Sequence, residues 1–314
     1  MSTTTSSTAS KKLYVIVARH GERWDYVQKD AGKGVEWISA ATRPWDSPLS
    51  PMGHQQARRL GEHLAHKLPE LGLPPVAACF SSPLLRCRQT AVQVVDALNN
   101  NNNDNKLLKV QVELGLSESL NESWYRSWAL PLADGTWGFR QFDSDGKRRA
   151  LQDYKAEELH PSSHIPAQEL LKWQDVSHPE PPMLLETLQD KSYISTTGIT
   201  QPYALQPKLL VETKKEQRDR MYQVIANKAP EFTGRTILLL SHGGPVTHLY
   251  EKLTDQDWSV HGESKYCCYS IYEGSFPAAE EGTNDTIQQP QWKSLLINQS
   301  QYLEDLWSDS TANI

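Results

Sequence analysis

Hydrophobic positions along the chain fall into short apolar runs that alternate with amphipathic stretches. Leu13 to Ala18 is an unbroken apolar run rich in β-branched residues and predicts a strand buried on both faces. Ser50-Pro51 supplies an N-cap followed by proline at the first helical position. Ala57, Leu60, Leu64 and Leu68 then recur at helical spacing, which predicts an amphipathic helix over 51–68. Pro74-Pro75 interrupts the chain before a strand at Val76 to Phe80. Ser82-Pro83 repeats the cap-and-proline device, and Leu84, Ala91, Val94, Val95 and Leu98 mark a second helix. A polar tract at 99–105 reads as a solvated loop before a strand at Leu107 to Val112. A polar helix over 213–228, a strand from Thr236 to Leu240 and a helix ending at 253 continue the alternation. Cys267 to Tyr272 and Trp292 to Asn298 read as closing strands, antiparallel at an edge.

Two segments lack this order. Trp24 to Ser47, with glycines at 32 and 34 and tryptophans at 24, 37 and 45, reads as a long loop over the site. Residues 121–208 carry no sustained period beyond weak helices near 167–173 and 184–190, and read as an insertion in the α/β pattern. The expected organisation is a disordered tail over 1–11, one domain over 12–300 that contains the insertion, and a C-terminal tail over 301–314. Strands alternating with helices predict an α/β fold of three layers, a mostly parallel central sheet flanked by helices. Three predicted strands end in polar clusters, at 19–23, 81–86 and 241–244. In a parallel sheet these share one edge, the carboxyl edge where ligands bind in such folds.

Composition narrows the picture. The chain has 314 residues and a net charge of −6, which gives no global bias toward nucleic acid. Mean hydropathy is −0.60. No apolar run approaches the ~18 residues a membrane span requires, so neither nucleic acid nor membrane is an expected partner. The Ser/Thr-rich start lacks the apolar core of a secretory signal. Cys79, Cys87, Cys267 and Cys268 show no metal spacing and are expected as buried free thiols in a reducing, cytoplasmic compartment.

The polar clusters have a common chemistry. A phosphate monoester needs its dianion neutralised, a nucleophile in line with the leaving oxygen, and a proton for that oxygen. Arg19, Arg23 and Arg86 offer forked donors to the non-bridging oxygens. His20 can attack phosphorus if the nearby arginines keep it neutral. His242, just before a helix N-terminus, can donate to the same oxygens. Glu118 is the placed carboxyl for the leaving group, with Glu122 nearby as its competitor. A cysteine phosphatase is excluded: six residues separate Cys79 from Arg86 where that chemistry uses five, and the required glycine is missing. His160 and His164 are four apart, but Pro161 between them and the lack of partners argue against a metal. Trp124 and Trp128, one helical turn apart, fit a core better than a substrate pocket.

These residues resemble the histidine phosphatase superfamily in its phosphoglycerate-mutase-like branch. The resemblance runs through Arg19-His20-Gly21, Leu49-Ser50-x-x-Gly53-x-x-Gln56-Ala57, Ser81-Ser82-Pro83-Leu84-Leu85-Arg86-x-x-Gln89-Thr90-Ala91 and Ser241-His242-Gly243-Gly244. Arg19 to Arg23, the Arg86-Cys87-x-Gln89-Thr90-Ala91 run and the Leu107 to Glu118 stretch look most like the phosphatase domain of the suppressor-of-T-cell-receptor-signalling proteins, a group that includes insect ecdysteroid-phosphate phosphatase. The resemblance implies a metal-independent phosphomonoester hydrolase with no cofactor. His20 would be the phosphorylated nucleophile, Arg19, Arg23, Arg86 and His242 the phosphate pocket, and Glu118 the proton donor. With about a dozen residues before the first strand, the family's animal ubiquitin-associated and SH3 modules are not expected here, and their scaffold roles are not carried over. Two alternatives stand beside this reading: a phosphoglycerate-type mutase, and a binding module that has lost activity. Mutases of the family carry Ser and Trp-Asn after Arg-His-Gly, whereas this chain has Glu22-Arg23-Trp24-Asp25. The phosphorylated substrate is left open, as is the oligomeric state, with a homodimer among the options.

Overall fold

The computed structural model describes residues 11–101, 107–118, 122–150, 153–164, 213–276 and 290–306. The helices expected near 167–173 and 184–190 lie outside the described residues. Six strands form one mixed sheet: β1 (Lys11–Arg19), β2 (Val76–Ser81), β3 (Val110–Val112), β4 (Thr236–Ser241), β5 (Tyr269–Phe276) and β6 (Gln291–Gln299), in the order β3-β2-β4-β1-β5-β6. The first four pair in parallel, and β5 runs antiparallel to both β1 and β6. The α/β fold with a mostly parallel, helix-flanked sheet is therefore as expected, with the antiparallel pairings confined to the β5–β6 edge.

Pleating explains the three layers. Along β1, Ile16 and Ala18 face one side while Val15 and Val17 face the other. The first face packs on α3 (Pro51–Glu70) and α4 (Leu85–Asn100) through Leu60, Leu64, Leu68, Val94 and Val95. The second packs on α6 (Lys214–Phe232) and α7 (Gly243–Thr254) through Met221, Val224, Ile225, Leu249 and Leu253. Each of these fully buried aliphatic side chains stabilises the fold by about 1.5–3 kcal/mol relative to exposure. Helices α3 and α4 approach so closely that a Cβ on Gly61 would lie 2.6 Å from the Val94 carbonyl oxygen. The four cysteines are buried and free. Among the described residues, no helix is long and apolar enough to cross a membrane.

Several expectations are corrected. Trp24 to Ser47 is not an irregular loop: it forms α1 (Trp24–Asp30), α2 (Gly34–Ala40) and a 3-10 turn at Pro44–Asp46. Helices this short have little stability of their own. Helix α2 and the 3-10 turn hold because Ile38 and Trp45 are buried in a cluster with Leu84, Trp124 and Trp128, and α1 packs against α2. The same cluster places Trp124 and Trp128, on α5 (Glu122–Ala129), in an apolar core. The predicted strand at Leu107 to Val112 shrinks to its last three residues. Residues 301–306, expected as part of a tail, pack on α3: Leu303 is buried, Tyr302 stacks on His63 at 4.4 Å, and Asp305 pairs with Arg59 at 2.9 Å.

Candidate phosphate-handling site

The carboxyl ends of the parallel strands meet at one edge because their registers match. Arg19 pairs with Ser241 in β4, and Ser81 pairs with both Leu240 and Val112. The next residues continue the alignment, with His20 N–H donating to the Ser241 carbonyl at 3.0 Å and Ser82 N–H to the Leu240 carbonyl at 2.9 Å. His20 and His242 thereby emerge side by side, with ring centroids 5.2 Å apart in an edge-on arrangement.

The sequence-predicted residues are brought together here. His20, His242 and Arg86 are essentially inaccessible to solvent, and Arg23 and Glu118 are buried. His20 Nδ1 lies 2.7 Å from the Gly21 carbonyl oxygen. A carbonyl only accepts, so Nδ1 carries the proton and the neutral ring's lone pair is on Nε2. Burial, and then the charges of Arg86 and Arg19, hold the His20 pKa well below the usual histidine range. Burial and the same arginine cluster do likewise to His242. Its Nε2 is 2.7 Å from the Ser82 hydroxyl, and its Nδ1 lies 3.6 Å from Glu118 Oε2.

Each arginine is held differently. Arg23 makes a two-pronged pair with Asp25, Nε to Oδ1 at 2.9 Å and Nη2 to Oδ2 at 2.5 Å. Burial works against its charge, but the Asp25 carboxylate outweighs that and raises its pKa. Arg19 donates from Nη1 to the Ser264 carbonyl at 2.6 Å, while its buried Nε has no hydrogen-bond partner among the described residues. Arg86 Nη1 donates to the Trp45 carbonyl at 3.4 Å; its Nε and Nη2 are buried without a hydrogen-bond partner among the described residues. Burial and the neighbouring Arg23 lower the Arg86 pKa. Buried guanidinium nitrogens are normally paired. Here several converge around His20 with their donors open, which is the electrostatic form of an anion site.

Residues 15–128 match the histidine phosphatase superfamily, branch 1. Among solved structures, the chain is similar to mycobacterial hydrolase 2, at 17% identity over 96% of this chain and 97% of that one, with a TM-score of 0.51; the two share the fold. Mycobacterial glucosyl-3-phosphoglycerate phosphatase aligns at 16% identity over 92% of this chain and 100% of its own, TM-score 0.48. Phosphoglycerate mutase from Bacillus anthracis str. Sterne aligns at 15% over 96% and 99%, TM-score 0.46. Comparison with curated protein sequences gives no match.

The matched span contains residues whose positions only the structure explains. Gly21 N–H donates to Thr90 Oγ1 at 3.0 Å, Glu22 N–H to Gln56 Oε1 at 2.9 Å, and Leu49 N–H to Gln89 Oε1 at 2.7 Å. Ser50 caps α3 as predicted, accepting from Gly53 N–H at 2.9 Å while donating to Glu22 Oε2 at 2.5 Å. Gly21 is required by chain packing rather than by a ligand's approach: a Cβ there would sit 2.5 Å from the Gly53 carbonyl oxygen. Ser82 is not the helix cap it was expected to be. Asp46 Oδ1 accepts from Leu85 N–H at 2.6 Å in that role, which leaves the Ser82 hydroxyl to His242. Sequence reading gave Asp25 and Ser264 no part in the site and Ser82 only that of a helix cap; Asp25, two residues from Arg23, was the one with a local signal.

The two neutral histidines have a measurable consequence. In the unfolded chain each takes up a proton below about pH 6.5, which the folded site resists. The unfolded state then binds more protons, so stability falls as pH drops below that value and is unaffected well above it. A His20→Gln variant lacks one of these groups. Its stability relative to wild type is expected to improve on acidification by up to about 1.4 kcal/mol per pH unit, read by denaturant unfolding between pH 7.5 and 5. A pH-independent difference contradicts a neutral buried His20.

Proposed function

We propose that this protein is a metal-independent phosphomonoester hydrolase acting through a phosphohistidine intermediate on His20. The observation that carries the reading is a neutral imidazole whose Nδ1 is engaged by the Gly21 carbonyl, directing the Nε2 lone pair into a cluster of arginine donors. In the first step Nε2 attacks phosphorus as the ester P–O bond breaks. Arg19, Arg23, Arg86 and His242 hold the non-bridging oxygens, and Glu118 protonates the leaving oxygen. Glu118 then takes a proton from water, whose oxygen attacks phosphorus as the P–N bond breaks, releasing phosphate and restoring His20. The phosphate dianion offsets the arginine repulsion at His242, which favours its proton-donating form in the complex.

Two features favour hydrolase over mutase. Arg23 is committed to Asp25, within the stretch where mutases of the family carry Ser and Trp-Asn. The Leu107 to Glu118 stretch supports a likeness to the suppressor-of-T-cell-receptor-signalling phosphatase domain. A panel of phosphomonoesters assayed with and without EDTA tests the proposal. Turnover that survives chelation and is inhibited by vanadate is expected; activity only on phosphoglycerates with retention of phosphate favours the mutase, and no turnover of any ester favours a binding module.

Glu118 lies beside His242, whereas Glu122 opens α5. Glu118→Gln is expected to lower turnover roughly 10²-fold on an ester with a poor leaving group, and much less on p-nitrophenyl phosphate. Glu122→Gln is expected to stay within a few-fold of wild type on both. Exchanged behaviours reassign the acid.

A further inference from the structure

Arg23 owes its orientation to a carboxylate, but Arg19 has none in contact among the described residues: it is held by the connection that precedes β5. That connection grips the catalytic strand end at several points. Arg19 N–H donates to the Cys268 carbonyl and Cys267 N–H to the His20 carbonyl, each at 3.1 Å. Cys267 adopts φ of 51°, left-handed backbone uncommon for a residue with a side chain, which turns the chain back against His20. Ser264, whose carbonyl accepts from Arg19, is itself tied to Thr247 of α7 through a 2.8 Å hydroxyl contact.

One hydrogen bond through Nη1 leaves the plane of a guanidinium free to tilt. Tyr266 removes that freedom. Its ring centre lies 4.2 Å from Arg19 Cζ and 5.9 Å from the His20 ring, so it flanks both the arginine and the nucleophile. With one edge on Ser264 and one face on Tyr266, Arg19 keeps its Nε beside Gly243 in the first turn of α7, where a Cβ would approach it to 3.3 Å. This is the buried Nε that has no partner among the described residues.

We propose that Tyr266 is a positioning residue of the phosphate site, acting through the face of its ring to hold the Arg19 guanidinium with Nε directed at the bound anion. The inference rests on the phosphate-site reading above but not on turnover. Attraction between a desolvated guanidinium and an aromatic face is strong enough to matter at this distance.

Calorimetric titration with inorganic phosphate provides the test. Tyr266→Leu is expected to weaken phosphate binding roughly 5–30-fold, while Tyr266→Phe, which keeps the ring, stays within about two-fold. In an Arg19→Gln background, Tyr266→Leu should cost little more, because residues acting through one another are not additive. A full-sized effect in that background, or a Phe variant as weak as the Leu variant, overturns the assignment. Where Tyr266→Leu fails to fold, progressively fluorinated phenylalanines at position 266 drain the ring's negative face with little change of shape. Affinity should then fall stepwise, and a flat series overturns the proposal. Wild-type protein that binds phosphate but hydrolyses no ester contradicts the reaction above and leaves this assignment intact; wild-type protein that binds none overturns it.

Discussion

His20→Ala is expected to retain the fold and lose phosphomonoester turnover by roughly 10⁴-fold or more, because no other described group offers a lone pair in the same place. His242 is the nearest imidazole, but its Nε2 is engaged by Ser82 and its Nδ1 faces Glu118. The structural cost is modest. One hydrogen bond to the Gly21 carbonyl is lost, worth about 1 kcal/mol, while the backbone bonds from His20 N–H to Ser241 and from Cys267 N–H to the His20 carbonyl persist in any residue. Near-wild-type circular dichroism with abolished turnover is the signature. Quenching wild type without acid should trap a phosphoprotein that is labile in acid and stable in base, as a P–N bond is, and the alanine variant should trap none. An active His20→Ala enzyme refutes the mechanism.

Arg86→Met is expected to lower kcat/KM by roughly 10²–10³-fold while raising the melting temperature of the ligand-free protein. The two effects have one source. Arg86 is buried with two nitrogens that have no partner among the described residues, and burial together with Arg23 disfavours its charge. Methionine fills a similar volume without that desolvation cost, and it forgoes the 3.4 Å contact to the Trp45 carbonyl and the attraction of the Glu118 and Asp46 carboxylates, which burial and Arg23 outweigh. A gain of about 1 kcal/mol or more corresponds to some 2–4 °C per kcal/mol at domain sizes of 150–250 residues. Inorganic phosphate should then stabilise wild type much more than the variant, since only wild type keeps the open donors. Scanning calorimetry with and without phosphate, alongside esterase kinetics, separates these outcomes. An Arg86→Met protein that is active, or that melts several degrees below wild type, contradicts the assignment of a strained, ligand-directed charge.

The chain's own pattern determined the alternation of strands and helices and the residues of the central site. Apolar runs such as Leu13 to Ala18 and Thr236 to Leu240 have no polar face to leave exposed, so burial between two helical layers was their only stable outcome. Polar clusters at the ends of such strands fall on one edge in a parallel sheet, which is why the sequence alone groups His20, Arg86 and His242. Ser50-Pro51 likewise marked the start of α3 through purely local capping.

What local pattern could not decide are contacts between segments distant in the chain. Helices α1 and α2 are too short to stabilise themselves; α2 depends on an apolar cluster shared with α5, some 90 residues further on, and α1 packs against α2. Ser82 reads locally as a helix cap, but Asp46 takes that part from another element and leaves the hydroxyl to His242. The tautomer of His20, the open donors of Arg19 and Arg86 and the ring of Tyr266 against Arg19 exist only once the sheet has brought β1, β4 and the turn before β5 together. Residue types specify which groups are available for chemistry; desolvation and hydrogen-bond geometry, both products of tertiary packing, decide which nitrogen carries a proton and which is left open for a ligand.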